Sequence, residues 1–103
     1  MVIKSMKRSH KYCRIVAYTP EYVYNVWVRY DTVHFYVLSN DKKADVLYHF
    51  IAHIGCGEIQ LMADEVAITL YSNDELINTV KYEFPNDMHN DVITILETLL
   101  YEE

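Results

Sequence analysis

The sequence contains few of the residues that interrupt or cross-link a chain. Its 103 residues include two Gly, two Pro and two Cys. So little Gly and Pro excludes collagen-like and low-complexity sequences. Two cysteines, Cys13 and Cys56, are too few for a disulfide-rich scaffold or for a zinc site made of cysteines alone. We therefore expect both to be buried, reduced thiols.

Long apolar runs are also missing. No run approaches the roughly 20 residues that a membrane-spanning helix needs, and the first eight residues lack the apolar stretch of a secretory signal. Apolar and aromatic residues nevertheless make up 51% of the chain, which is enough for one core. These features predict a soluble, cytoplasmic α+β domain at 11–103 that follows a flexible basic arm at 1–10, with no membrane contact.

Charge is distributed unevenly along the chain. Residues 1–20 carry five basic and no acidic side chains, whereas residues 21–103 carry four basic and 15 acidic ones, so the two parts have net charges of +5 and −11. An acidic body repels phosphate backbones and attracts basic surfaces, and a basic arm does the opposite. The cations of the first part are Lys4, Lys7, Arg8, Lys11 and Arg14.

The first half of the chain has patterns typical of strands followed by a helix. A content of β-formers that ends at Pro20 predicts a strand over 11–19, and alternating apolar residues predict strands over 22–30 and 33–38. A cluster of capping residues at 39–41 then precedes apolar residues at helical spacing, which predicts a helix over 41–54. Gly55 supplies a helix-ending signal.

The second half repeats this order of elements. Three short strands are predicted between Gly57 and Pro85, and a second helix runs from Asn86 or Asp87 to about Tyr101. The chain therefore reads βββαβββα, with a possible internal pseudo-repeat of about 46 residues. We expect a two-layer sandwich in which two helices cover one face of about six mostly antiparallel strands.

One stripe on the first predicted helix resembles a metal site. Asp45, His49 and His53 stand four residues apart, so a helix would align them, and two imidazoles one turn apart can present nitrogen ligands to zinc. The simpler interpretation is a partly solvated helix flank on which Asp45 and His49 form a weak pair. We expect no bound metal and keep these three residues as a weak candidate.

Catalytic motifs are missing from the sequence. It has no Gly-rich phosphate loop, no HExxH and no GxSxG motif. We therefore expect a protein that is not an enzyme and that needs no cofactor.

Tyrosine is unusually frequent, with 10 residues in 103. Tyr and Trp dominate the energetics of protein interfaces, and an acidic surface steers association with a basic partner. The leading hypothesis is a small binding module that acts as an inhibitor or adaptor on a larger protein with a basic surface. Phage or viral antagonists of host nucleic-acid enzymes fit this description, some by mimicking the charge of DNA. The candidate contact residues are Tyr24, Trp27, Tyr36, Tyr48, Asp41, Asp45, Asp87 and Asp91.

The alternative hypothesis assigns function to the basic arm. A segment with five cations can neutralise phosphates, so the protein would be a nucleic-acid-binding accessory factor that acts through Lys4, Lys7, Arg8, Lys11 and Arg14. We also expect a homodimer, because so short a chain leaves a sheet face or a sheet edge incompletely covered.

Overall fold

A computed structural model describes residues 1–54, 58–72 and 79–101. Two compact units make up the chain, Met1–Ala52 and His53–Glu103, which we call the first and second unit. Cys56 lies outside the described residues. In chain order the elements are β1 (Val2–Ser9), β2 (Tyr12–Tyr18), β3 (Tyr22–Arg29), β4 (Thr32–Ser39), β5 (Val46–His53), β6 (Ile59–Ala63), β7 (Ala67–Ser72), β8 (Val80–Glu83) and α1 (Asn86–Tyr101).

The predicted α+β class is confirmed, whereas the predicted order of elements is wrong. Strands β1 to β5 form one sheet in sequential order, strands β6 to β8 form another, and one helix follows within the described residues. The expected βββαβββα order fails at 41–54, where strand β5 stands in place of the first predicted helix. The pseudo-repeat fails with it, because the second half of the chain has a helix and the first half does not. Within the described residues, no helix is long and apolar enough to cross a membrane.

The five-stranded sheet of the first unit has one buried face. Strands β1 to β4 pair antiparallel, and the register places Ile15, Val26 and Phe35 opposite one another in one row. All three are fully buried. Because successive side chains of a strand point to opposite faces of the sheet, the residues between these buried positions form the second face. The buried face consists of Cys13, Ile15, Ala17, Tyr24, Val26, Val33, Phe35, Val37, Phe50 and Ala52.

The segment predicted as a flexible arm is strand β1. Seven of its eight residues pair with β2, from Val2 opposite Tyr18 to Ser9 opposite Tyr12, and Lys4 falls at an irregularity between Ile3 and Ser5. All eight are exposed, so β1 has no apolar alternation from which a strand could be predicted. Backbone pairing with β2 holds it in place instead. As the outermost strand of the sheet, β1 has one edge that no other strand of the described residues pairs with, and the expected homodimer stays a prediction.

The first predicted helix, 41–54, is a loop followed by strand β5. Phe50, Ala52 and Ile54 are buried, whereas Leu47 and Ile51 are about half exposed, so burial follows a period of two rather than 3.6. The helical spacing of the apolar residues was fortuitous, since β-branched and aromatic side chains in this segment also favour a strand.

The capping residues at 39–41 do bind backbone N–H groups, but they close a turn. Asp41 Oδ1 accepts hydrogen bonds from the N–H groups of Lys43 at 2.9 Å and Ala44 at 3.1 Å and from the Ser39 hydroxyl at 2.9 Å. Ala44 then adopts a positive φ of 49°, which no continuing helix allows. The backbone N–H of Ser39 donates to the Asp45 carbonyl at 2.8 Å, which closes the loop before β5 begins.

The second unit contains the one sheet–helix pairing among the described residues. Helix α1 begins after Pro85 as predicted and buries an apolar stripe that includes Val92, Ile95 and Leu99. Its last described residue, Tyr101, accepts the N–H of Leu61 in β6 at 2.7 Å through its hydroxyl group. At the other end, His89 Nε2 lies 2.7 Å from the carbonyl oxygen of Asp64. The last turn of the helix is therefore bound to β6, and its first turn to the β6–β7 turn.

Candidate functional site

The two units differ strongly in charge. The first unit, 1–52, contains eight Lys and Arg and four Asp and Glu, a net charge of +4; the second, 53–103, contains one Lys and eleven Asp and Glu, a net charge of −10. The four acidic residues of the first unit, Glu21, Asp31, Asp41 and Asp45, all lie outside its strands. Every charged side chain on strands β1 to β4 is therefore a cation.

A row of side chains crosses the exposed face of the first sheet. The register places Lys7 opposite Arg14, Arg14 opposite Trp27 and Trp27 opposite His34. Side chains directly opposite one another have Cβ atoms about 5 Å apart. The row therefore joins two exposed cations to two half-buried aromatic rings across four strands.

Aromatic rings on this face form a stacked column. The Trp27 and Tyr36 rings are nearly parallel at 10°, with centroids 5.4 Å apart, and Tyr36 stacks on His49 at 11° and 5.7 Å. His34 adds a second ring over Trp27 at 8° and 4.7 Å. Because the rings face one another, their edges point to solvent along the column. At its end, on β5, the imidazole of His49 is exposed.

Arg14 occupies the opposite end of the column. Its guanidinium carbon lies 5.8 Å from the centroid of the Trp27 ring, within cation–π range, and its Nε donates to Asn25 Oδ1 at 3.1 Å. Asn25 and the ring together orient the guanidinium group, while its terminal nitrogens remain on the exposed surface. Lys7 stands directly opposite, and like charges in that position destabilise a sheet unless an anion lies between them.

We call this surface the cation–aromatic face. It consists of Lys7, Arg14, Trp27, His34, Tyr36 and His49. Strand spacing of about 4.8 Å places Arg14 on β2 and His49 on β5 about 14 Å apart. That span suits an extended ligand that crosses the strands and offers negative charge at one end.

The structure separates the residues predicted to contact a protein partner. Trp27 and Tyr36 lie on the cation–aromatic face, but Tyr24 is fully buried with its ring edge against Phe35, so it offers no surface for contact. Tyr48 is half buried and shares its side of β5 with buried Phe50. Of the four predicted aromatic contact residues, Trp27 and Tyr36 therefore share the exposed face of the first sheet, and Tyr24 and Tyr48 do not.

The predicted acidic residues lie in different settings. Asp41 and Asp45 belong to the loop before β5, where Asp41 is engaged by hydrogen bonds. The Ser39 hydroxyl, followed by the N–H groups of Ala44 and Lys43, lowers the pKa of Asp41 below its usual range. Asp87 and Asp91 lie one turn apart on α1 in the second unit.

The predicted basic residues also divide between surfaces. Lys7 and Arg14 lie on the cation–aromatic face, whereas Arg8 is opposite Cys13 and so belongs to the other side of the sheet. Lys4 falls at the irregularity in β1, and Lys11 lies in the β1–β2 turn. Cys13 is buried as predicted, and this burial raises the pKa of its thiol, with Arg8 acting in the opposite direction.

The metal-site hypothesis loses its geometric basis. His49 and His53 lie on a strand, where four residues span about 13 Å, instead of one turn apart on a helix. Asp45 precedes that strand. Across 1–54, 58–72 and 79–101 no group of three His, Cys, Asp or Glu side chains is close enough to hold a metal ion.

Sequence reasoning did not place His34 or His49 in an aromatic column, and it considered His49 only as a weak metal candidate. The signal that identifies His34 was available, since a two-residue turn at 30–31 forces Trp27 opposite position 34. His49 had no such signal, because its position depends on β5 being a strand. No protein-family model, curated protein or solved structure matches this chain.

Proposed function

We propose that the protein binds single-stranded nucleic acid through the cation–aromatic face of its first unit. The observation that supports this most directly is the alignment of Lys7, Arg14 and Trp27 in one cross-strand row, with the stacked column continuing from Trp27. Proteins that bind single strands combine cations for the backbone with aromatic rings for the bases.

The chemistry of the two ends of the cation–aromatic face determines how a single-stranded nucleic acid would lie on it. Lys7 and Arg14 are exposed cations that would contact phosphates, and Arg14 has a planar fork that matches phosphate oxygens. At the other end a base would stack on the exposed imidazole of His49 and extend the column by one ring. The ring edges between them carry the indole N–H, imidazole nitrogens and a phenol, which can form hydrogen bonds with phosphates and base edges.

The uneven distribution of charge bears directly on this function. The whole chain is acidic, with a net charge of −6, but that charge belongs to the second unit. The first unit carries +4, and its acidic residues lie in turns and loops. The strands that form the face therefore present cations and no acidic side chain to a phosphate backbone. Strong salt dependence is the expected consequence.

The test is a binding titration with a 12-nucleotide dye-labelled single strand, followed by fluorescence anisotropy at several salt concentrations. Arg14→Gln should weaken binding and reduce the slope of log affinity against log salt by about 0.7, the value for one phosphate contact on a single strand. Trp27 is the only tryptophan in the sequence, so its intrinsic fluorescence provides a second readout in the wild-type protein.

The matched control is Lys42→Gln, which makes the same charge change in the loop before β5. It should leave the affinity within about twofold, since it lies off the face. Arg14→Lys separates charge from stacking, because lysine keeps the charge and loses the planar group. Equal weakening by Arg14→Gln and Lys42→Gln, or binding that does not depend on salt, would contradict the proposal.

A second candidate function rests on the second unit. Its net charge of −10 and the acidic residues Asp87 and Asp91 on α1 support a protein-binding module that engages a basic surface, as an inhibitor or charge mimic would. The test is capture of partners from nuclease-treated lysate by the wild type and by Asp87→Lys/Asp91→Lys. Loss of one salt-sensitive partner with a basic nucleic-acid site in the variant would support this function, and its retention would oppose it.

A further inference from the structure

Two turns of the first sheet enclose a small pocket at one end of β2 and β3. The β1–β2 turn and the β3–β4 turn are joined by a hydrogen bond from the Tyr30 N–H to the Lys11 carbonyl, at 2.9 Å. Between them lies a cavity of about 290 Å³, which we call the turn pocket. Its lining residues are His10, Lys11, Tyr12, Arg29 and Tyr30.

Both turns hold a bulky residue in the left-handed region. Lys11 has φ 57° and Tyr30 has φ 56°. This conformation is unfavourable for a residue with a Cβ and is normally given to Gly or Asn. With Lys and Tyr at these positions, both turns instead contribute a long functional side chain to the pocket. Strained non-glycine residues of this kind cluster at ligand sites.

The pocket gathers positive charge around one ring. Lys11 Nζ lies 5.9 Å and the Arg29 guanidinium carbon 5.8 Å from the centroid of the Tyr30 ring, which is 64% exposed. None of the five lining residues is acidic. Two cations held on one exposed ring at the mouth of a cavity match an anion that carries more than one charge.

The turn pocket continues the cation–aromatic face. Tyr12 pairs with Arg29 in the row next to that of Arg14 and Trp27, so the pocket begins about 7 Å along the strands from Arg14. At the pocket the strands end and the chain turns back. A polynucleotide that crosses the strands from His49 to Arg14 and then turns along β2 would therefore bring its next phosphate into the pocket.

From this geometry we infer that the turn pocket binds the terminal phosphomonoester of a single-stranded nucleic acid, an inference that rests on the proposed function. A terminal phosphate carries between one and two negative charges near neutral pH, whereas an internal phosphodiester carries one. The guanidinium of Arg29 can donate two hydrogen bonds to it, and Lys11 adds a second cation. The phenols of Tyr12 and Tyr30 offer further donors.

The experiment compares one 12-nucleotide sequence in three forms, each with an internal dye: a 5′-phosphate, a 3′-phosphate and no terminal phosphate. Wild-type protein should bind one phosphorylated form about tenfold more tightly than the unphosphorylated one, as expected for a gain of charge-assisted hydrogen bonds. The 5′ and 3′ forms identify which end enters the pocket.

Two single variants assign the preference to the pocket. Lys11→Asn removes a charge with a residue that tolerates a positive φ, and Arg29→Gln removes the guanidinium. Each should abolish most of the preference for a terminal phosphate, whereas Lys42→Gln should retain it. Circular dichroism and the unfolding midpoint show whether each variant has folded.

The outcomes separate the inference from the proposed function. Equal affinity of the wild type for all three forms would overturn the inference and leave the proposed function standing. A preference that survives in both pocket variants would also overturn it. If none of the three forms binds, the proposed function and the inference fail together.

Discussion

The loop before β5 offers a test of backbone strain that is independent of ligand binding. Ala44 is exposed and has φ 49°, while its N–H donates to Asp41 Oδ1 at 3.1 Å. Replacing it with glycine removes the Cβ that makes this conformation unfavourable and keeps the backbone hydrogen bond. We expect Ala44→Gly to make the protein more stable, the reverse of the usual effect of introducing glycine.

The magnitude follows from two opposing contributions. A left-handed residue with a Cβ costs about 1–2 kcal/mol. Glycine also increases the conformational entropy of the unfolded chain, which offsets about 0.4–1 kcal/mol of that relief. The net increase in the free energy of unfolding should be about 0.5–1 kcal/mol, which corresponds to a rise of about 2–8 °C in Tm.

The assay is urea and thermal unfolding followed by far-ultraviolet circular dichroism, with Trp27 fluorescence as a reporter of the first unit. The matched control is Ala63→Gly, an identical change at an exposed strand position where φ is not positive. The control should lose about 0.5–1 kcal/mol, as glycine in a strand does. If Ala44→Gly is destabilised as much as Ala63→Gly, the strain argument is refuted, and the same argument for Lys11 and Tyr30 fails with it.

Two further predictions concern a carboxylate and a thiol. The N–H groups of Ala67 and then Val66 hold the pKa of Asp64 below its ordinary value of 3.8, so its stabilising effect is present above that value and is lost as pH falls through the lower folded pKa. Urea midpoints of wild type and Asp64→Ala should therefore differ most at pH 5–7 and converge in strong acid, and a constant difference would contradict this. Cys13 is 5% exposed and its thiol has a raised pKa, so in a Cys56→Ser protein a thiol reagent should label it slowly until urea is added. Rapid labelling of the folded protein would show that Cys13 is accessible.

Local patterns predicted the strands whose two faces differ. The apolar alternation in β2, β3 and β4 matches a sheet with one buried and one exposed face, so each strand could be read from its own residues. Helix α1 was predicted for a similar reason, because Pro85 and the following polar residues mark its start and its apolar stripe is buried. The hydrogen bonds of the Asp64 turn are local in the same way, since they join near neighbours in the chain.

The failed predictions share another property, which is dependence on a partner strand. Strand β1 is exposed on both faces and is defined by pairing with β2, so its own side chains hold no periodic signal. Residues 46–53 have apolar spacing that is compatible with either a helix or a strand. They form a strand because they pair with β4 in the sheet. That decision also separates His49 from His53 and brings His49 onto Tyr36 instead.

By itself, then, the sequence determined the α+β class, most strands, the C-terminal helix and the uneven charge, because each depends on interactions within a few residues. Tertiary structure decided which residues form a surface together. Antiparallel register placed Lys7, Arg14 and Trp27 in one row, although 20 positions separate the first from the last. A shift of register by one residue would move each of these side chains to the other face. The candidate site is therefore a property of strand pairing, which the local sequence pattern does not contain.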